Sequence, residues 1–363
     1  MTYLDYQATT PLAPEALAAM LPLLEGNFAN PHSAHAPGRA AKAAVEVARD
    51  DVAGLLPPGG TVSFTSGATE ALNWAIKGTT GGIVTIATEH AAVLDTVAAE
   101  ARRGRDVTVL PVGPEGLVDL AAARGAIKPG VGLVAAMLVN NEIGVIQPIE
   151  ELAHLAHQAG ALFLCDAVQG YGRVLIPDGC DLIAVSAHKI HGPKGVGALW
   201  IRDGVTLEPL LHGGGQEPAG RSGTLSPALC AGFGAAARLA KQRFGADHAH
   251  AEQLYRAALS RIAGDWILNG AQEDRYHGNL NLRHDGLDVA RLISDLRDIA
   301  FSAGSACASG SGRPSHVLEA IGLSDVQARS SIRIGYGRYT SEDALMGAID
   351  RIVAAARAQS RAA

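Results

Sequence analysis

The sequence predicts an α/β fold with a mostly parallel sheet and a smaller second domain. Three observations predict it. Short apolar runs alternate with helical patterns through the first two thirds of the chain, the signature of strands covered by helices. Five of the strand ends carry polar or ionisable groups, and open α/β sheets bind ligands at such ends. Near residue 245 the regular alternation gives way to a long helical stretch and shorter elements.

The expected strands are Thr61–Thr65, Ile83–Ala87, Val107–Pro111, Gly132–Val139, Ala161–Cys165, Leu182–Val185 and Val196–Ile201. Pro148–Gly160 reads as a helix: Pro148 opens it, Leu152, Leu155, Ala156 and Ala159 share one face, and Gly160 closes it. Gly38–Leu56 is a second, rich in Ala and Val. Beyond residue 245, Ala249–Ile267 and Val289–Leu296 read as helices and Leu280–Leu282 as a strand. The expected division is a large domain over 15–245. A small domain combines 246–363 with the segment 1–14.

The 363 residues are 48% hydrophobic and 18% charged, a composition that affords a sizeable core and argues against disorder. A net charge of −6 argues against a nucleic-acid-binding surface. No apolar run is long enough to span a membrane, and the N-terminus lacks a basic stretch followed by an apolar one, so the expected compartment is the cytoplasm. Four cysteines, Cys165, Cys180, Cys230 and Cys307, form no CxxC pair, which disfavours zinc and redox motifs. Cys165 and Cys230 read as small buried hydrophobes, and Cys180 carries no assigned role. No metal site is expected: His154 and His157 lie on a helix with no carboxylate ligand pattern, and His248 with His250 read as a solvated segment.

Lys189 is the most informative residue. It follows the apolar run Leu182–Val185 within Ser186-Ala187-His188-Lys189-Ile190-His191-Gly192-Pro193. An amine there suits a lysine that holds pyridoxal phosphate (PLP). Of six lysines, Lys42, Lys77 and Lys241 fall on helices, while Lys128 and Lys194 lie in a loop and a turn. PLP needs a lysine for its aldehyde, an acid for its ring nitrogen and donors for its phosphate. Asp166, at a strand end, suits the nitrogen, although alone it reads as a turn-forming residue. Gln169 could reach the ring oxygen. Ser66-Gly67-Ala68-Thr69 offers backbone N–H groups of Ala68 and Thr69 and a hydroxyl for phosphate, and a plain helix N-cap explains it equally well. His90 could stack on the ring or move protons. Arg333 suits a substrate carboxylate because its planar fork binds two oxygens. A lone cysteine is more often inert core than nucleophile, but Cys307, in Gly304-Ser305-Ala306-Cys307-Ala308-Ser309-Gly310, has only Gly, Ser and Ala around it, which bury it poorly, and beside a PLP lysine it suits chemistry on sulfur.

These blocks resemble the cysteine desulfurases of the NifS/IscS type, within the class V aminotransferase family of PLP enzymes. The match runs from Tyr3-Leu4-Asp5-Tyr6 through Thr65–Glu70, Thr88-Glu89-His90, Asn140–Gly144, Asp166 with Gln169, His188–Gly195, Arg221–Thr224 and Gly304–Cys307 to Ser330–Arg333. The resemblance implies the type I PLP-dependent transferase fold and a homodimer. It implies PLP on Lys189, with Asp166 on the ring nitrogen, Gln169 on the ring oxygen and His90 against the ring. Ala68, Thr69, Ser186 and His188 would serve the phosphate, as would Thr224 on the neighbouring subunit's phosphate. Asn141 and Arg333 would hold the substrate carboxylate side. L-cysteine would become L-alanine, with Lys189, His90 and Cys307 as the catalytic groups and the sulfur kept on Cys307 as a persulfide. An iron–sulfur scaffold or sulfur-carrier protein would accept it. Gln7, Leu138, Ala187 and His191 depart from the family's commoner residues, and none removes a catalytic group. A selenocysteine lyase or another class V aminotransferase is the alternative reading.

Overall fold

A computed structural model describes residues 1–262, 264–304 and 315–360. It opens with β1 (Thr2–Tyr3), α1 (Pro14–Glu25) and α2 (Ala36–Ala53). Alternation follows: β2 (Gly60–Thr65), α3 (Ala68–Lys77), β3 (Gly82–Ile86), α4 (Ala91–Arg102), β4 (Val107–Leu110), α5 (Leu120–Ala126), β5 (Val131–Met137) and α6 (Ile149–Gln158). Strands β6 (Leu162–Asp166), β7 (Leu182–Ser186) and β8 (Gly197–Arg202) complete it, and α7 (Pro227–Arg261) leads away. The remainder is β9 (Trp266–Leu268), β10 (Asn279–His284), α8 (Val289–Asp295), β11 (Ile299–Ala300), β12 (Ser302–Ala303), α9 (His316–Ala320), α10 (Asp325–Arg329), β13 (Ser331–Gly335) and α11 (Glu342–Ser360).

The large sheet has seven strands in the order β2-β8-β7-β6-β5-β3-β4. Only β8 runs against its neighbours β2 and β7; the other pairs are parallel. Both faces are covered, which is why the strands read as continuous apolar runs rather than alternating ones. Along β7, Ile183 and Val185 enter one core with α1, α2, α6 and α7. Leu182 and Ala184 enter another with α3 and α4.

Four antiparallel strands, β12-β13-β10-β9, form a second sheet. Its core joins Leu280, Leu282, Ile332 and Ile334 to Leu254 and Tyr255 of α7, Leu292 of α8, and Ile349 and Ile352 of α11. Leu4 joins it from the N-terminus, where β1 pairs with β11. Two sequence expectations need correction. The helix expected from Ala249 is the second half of α7, which runs unbroken from Pro227. Its expected end at Ile267 is strand β9 instead. Apolar residues on both halves of α7, Phe233 and Ala237 in one core and Leu254 and Ala258 in the other, make one long helix the economical link.

Candidate active site

The carboxyl ends of β6 and β7 and the turns after β3 and β5 converge on one cavity of about 530 Å³. That volume suits a cofactor-sized ligand. Its walls include ten of the residues singled out from sequence: Ala68, Thr69, His90, Asn141, Asp166, Gln169, Ser186, His188, Lys189 and Arg333. Thr224 is exposed and does not line it. Cys307 lies outside the described residues.

Lys189 ends a single helical turn, Ala187–Lys189, that β7 runs into. Its Nζ donates to the backbone carbonyls of Gln7 (2.6 Å) and Ala8 (2.8 Å). Gln169 Nε2 donates to the same Gln7 carbonyl at 2.9 Å. Thr10 anchors this N-terminal segment, its N–H and hydroxyl both donating to the His188 carbonyl (3.0 and 2.9 Å).

Asp166, at the end of β6, is 5% exposed and accepts from the Val168 N–H at 3.0 Å. Burial raises its pKa, while the Val168 bond, His90 and Lys189 oppose the rise. His90 caps α4, its Nδ1 accepting the Ala92 N–H at 3.0 Å, so a neutral ring carries its proton on Nε2. Burial lowers the His90 pKa and the Asp166 charge works against that. His188 falls to about 4, from burial first and then the charges of Lys189, Lys194 and Arg173.

At the cavity's other wall α3 begins. Its N-cap, Gly67, supplies no side-chain cap, so the first N–H groups of the helix await an acceptor. Gly197 lets β8 pass close by, since a Cβ there would come within 2.7 Å of the Gly67 carbonyl carbon. Arg333 sits in mid-β13, its side chain 1% exposed.

This donor set fits PLP. An amine, a buried acid and an uncapped helix N-terminus face one cavity, the three groups that the cofactor's aldehyde, ring nitrogen and phosphate require. Gln7, Ala8, Lys194 and Gly195 also line the cavity, and residue type alone assigns none of them a role there. Gln7 and Ala8 act through backbone carbonyls, which no residue-type pattern announces. Among the described residues, no cluster of three or more His, Cys, Asp or Glu could hold a metal ion.

A family model described as aminotransferase class-V matches residues 2–346. The chain belongs to the class V aminotransferase family. Within that family it resembles cysteine desulfurase IscS of Rickettsia bellii (strain OSU 85-389), at 43% identity over 96% of this chain and 90% of that one. The mitochondrial cysteine desulfurase of Saccharomyces cerevisiae is 45% identical over 94% of this chain and 72% of its own. Among solved structures, a NifS-like protein superposes with a TM-score of 0.89 at 31% identity, covering 97% of this chain and 99% of its own. SspA in complex with cysteine gives 0.83 at 34% identity, covering 94% and 100%. The class V family uses PLP, and its type I fold is the one described above.

Proposed function

We propose that this class V enzyme is a cysteine desulfurase, converting L-cysteine to L-alanine and carrying the sulfur on Cys307. The observation that carries it is the cavity itself. Lys189 and Asp166 share it with Arg333, an amine and an acid for the cofactor beside a cation for an amino acid's carboxylate. When bound, PLP would supply an aldehyde for the substrate amine and an electron-withdrawing ring for the α-carbon.

Asp166 would hold the proton of the ring nitrogen, and Gln169 would bond the ring oxygen. Ala68, Thr69, Ser186 and His188 would hold the phosphate, joined by Thr224 of a second subunit. Asn141 and Arg333 would orient the substrate carboxylate. Lys189 Nζ would take the α-proton, and His90 would support the ring and move protons. The Cys307 thiolate would attack the substrate sulfur: the new S–S bond forms as the C–S bond breaks, its electron pair stays with carbon, and protonation there gives alanine. A scaffold or carrier thiol then accepts the persulfide sulfur.

A homodimer is part of the proposal. Leu17, Leu21, Leu24 and Phe28 are 45%, 41%, 57% and 80% exposed. Leu17, Leu21 and Leu24 share one face of α1, with Phe28 following beyond its end, and such exposed apolar side chains support a protein contact. Cytoplasmic action is proposed as well. No helix among the described residues is long and apolar enough to cross a membrane.

The test is an absorbance spectrum with an alanine assay on L-cysteine, for the wild type and Cys307→Ala. The proposal expects the cofactor band in both and alanine release only in the wild type. Transamination between an amino acid and a keto acid, with no turnover of cysteine, would make the protein an aminotransferase instead.

A further inference from the structure

Arg333 is nearly inaccessible, with 1% of its side chain exposed, yet it lines the cavity. A guanidinium presents five N–H groups in one rigid plane, so its value to a carboxylate depends on how that plane is held. Two groups hold it here. Nη1 donates to the Asn141 carbonyl at 3.0 Å, and Nη2 donates to Asp5 Oδ1 at 2.7 Å. Nε has no partner among the described residues.

Asp5 comes from the far end of the chain and is itself fixed. It forms a parallel bridge with Gly335, two residues beyond Arg333. The Gly335 N–H donates to the Leu4 carbonyl at 2.8 Å, the Tyr6 N–H to the Gly335 carbonyl at 3.3 Å, and the Tyr3 hydroxyl to the Asp5 carbonyl at 3.2 Å. The Asp5 carboxylate therefore meets Arg333 from a braced backbone. Buried Glu142 is the other acid near Arg333, and its carboxyl is already engaged by the Ser315 hydroxyl.

We propose that Asp5 is a positioning residue for substrate: it fixes the Arg333 plane so that the remaining N–H groups, Nε among them, meet the carboxylate of an α-amino acid. This rests on the reading of the cavity as an amino-acid site. Asn141 alone would leave the guanidinium pinned at one nitrogen and free to turn about that contact. Asp5 supplies the second point, and its charge balances a cation that would otherwise stand buried and unpaired between turnovers.

The experiment compares wild-type, Asp5→Ala and Asp5→Asn holoenzymes. It uses turnover of L-cysteine, and dissociation constants for L-alanine and for cysteamine read from the cofactor's absorbance. Cysteamine keeps the amine and thiol but has no carboxylate. Asp5→Ala should raise KM for cysteine and Kd for alanine together by about tenfold, equivalent to about 1.4 kcal/mol. Its kcat should stay within about twofold and its cysteamine Kd should not move. Asp5→Asn, which keeps an acceptor at the same place, should recover part of the loss. The proposal is overturned if alanine and cysteamine weaken equally, or if kcat and cofactor retention fall with KM unchanged. Either result would make Asp5 a brace for the N-terminal strand alone. If the wild type does not turn over cysteine, the desulfurase reading fails on its own, and the alanine and cysteamine constants still decide the role of Asp5.

Discussion

Replacing Glu89 by glutamine should make the protein progressively more stable than wild type as the pH rises. Glu89 is 0% exposed at the end of β3's connection to α4. Its Oε1 accepts the Met137 N–H at 2.5 Å, and Oε2 is buried without a partner among the described residues. Met137 pairs in register with Asp166 on the next strand. Burial, and secondarily the charge of Asp166, push the Glu89 pKa well above its usual value, with the Met137 bond opposing. The folded protein therefore keeps a proton that the unfolded chain loses near a pKa of about 4.3. With more protons bound in the folded state, stability falls as pH rises between the unfolded and the folded pKa, by about 1.4 kcal/mol per pH unit. Glutamine cannot titrate and keeps the acceptor for Met137. The difference between the two proteins should thus open from about pH 4.3 upward at that slope. Urea unfolding at pH 5, 6 and 7, with saturating PLP for both, measures it, because contributions common to both proteins cancel. A difference that stays constant with pH would refute the reasoning and mean that Glu89 is ionised in the folded protein.

Three further outcomes are expected. Asp166→Asn should keep or raise stability at pH 7 in urea unfolding, since burial already disfavours its charge, while alanine release falls by about a hundredfold or more. Glu217, whose side chain is fully buried, forks onto Arg49 at 2.7 and 2.8 Å and accepts the Phe64 N–H. Glu217→Ala should therefore cost about 3–5 kcal/mol, and the double change Arg49→Met with Glu217→Leu distinctly less; equal losses would sink that account. His191 is 6% exposed and donates from Nδ1 to the Pro11 carbonyl at 2.9 Å. Burial and then the charge of Arg338 lower its pKa to about 3. Its contribution to stability is present above the unfolded pKa near 6.5 and is lost as pH falls toward 3. Its ring resonances should not titrate between pH 8 and 5, and a midpoint near 6.5 would contradict the burial argument.

The large sheet was legible because each strand is short, apolar and ends in a polar group. All seven expected strands appear, displaced by a residue or two, as with Ala161–Cys165 against Leu162–Asp166. The long helix was not. Gly232, Gly234 and Gly245 interrupt it, and glycine weakens any helical reading. Gly232 and Gly234 serve close packing instead, since a Cβ would come within 2.7 Å of Met20 and 2.6 Å of Ala48. Candidate site residues carried by side-chain chemistry at strand ends, such as Asp166 and Lys189, could be found from pattern. The Asp5–Arg333 pair could not. Its members lie 328 positions apart, and only the alignment of Leu4–Tyr6 beside Gly335 brings them together.

That pairing shows why the first ten residues matter more than their length implies. The groups suited to PLP sit on the seven-stranded sheet, and Arg333 sits on the four-stranded one. In the proposed reaction, a cofactor held by one sheet and a carboxylate held by the other would have to keep a fixed separation for proton transfer at the α-carbon to be well aimed. The N-terminal segment touches both sides within six residues: Asp5 bonds Arg333, Gln7 Nε2 donates to the Gly278 carbonyl, the Gln7 and Ala8 carbonyls accept from Lys189, and Thr10 bonds His188. This strap is one of several ties between the sheets: α7 packs in both cores, and Asn281 Nδ2 donates to the Glu142 carbonyl at 3.1 Å, so any motion of the small sheet against the large one must strain these together.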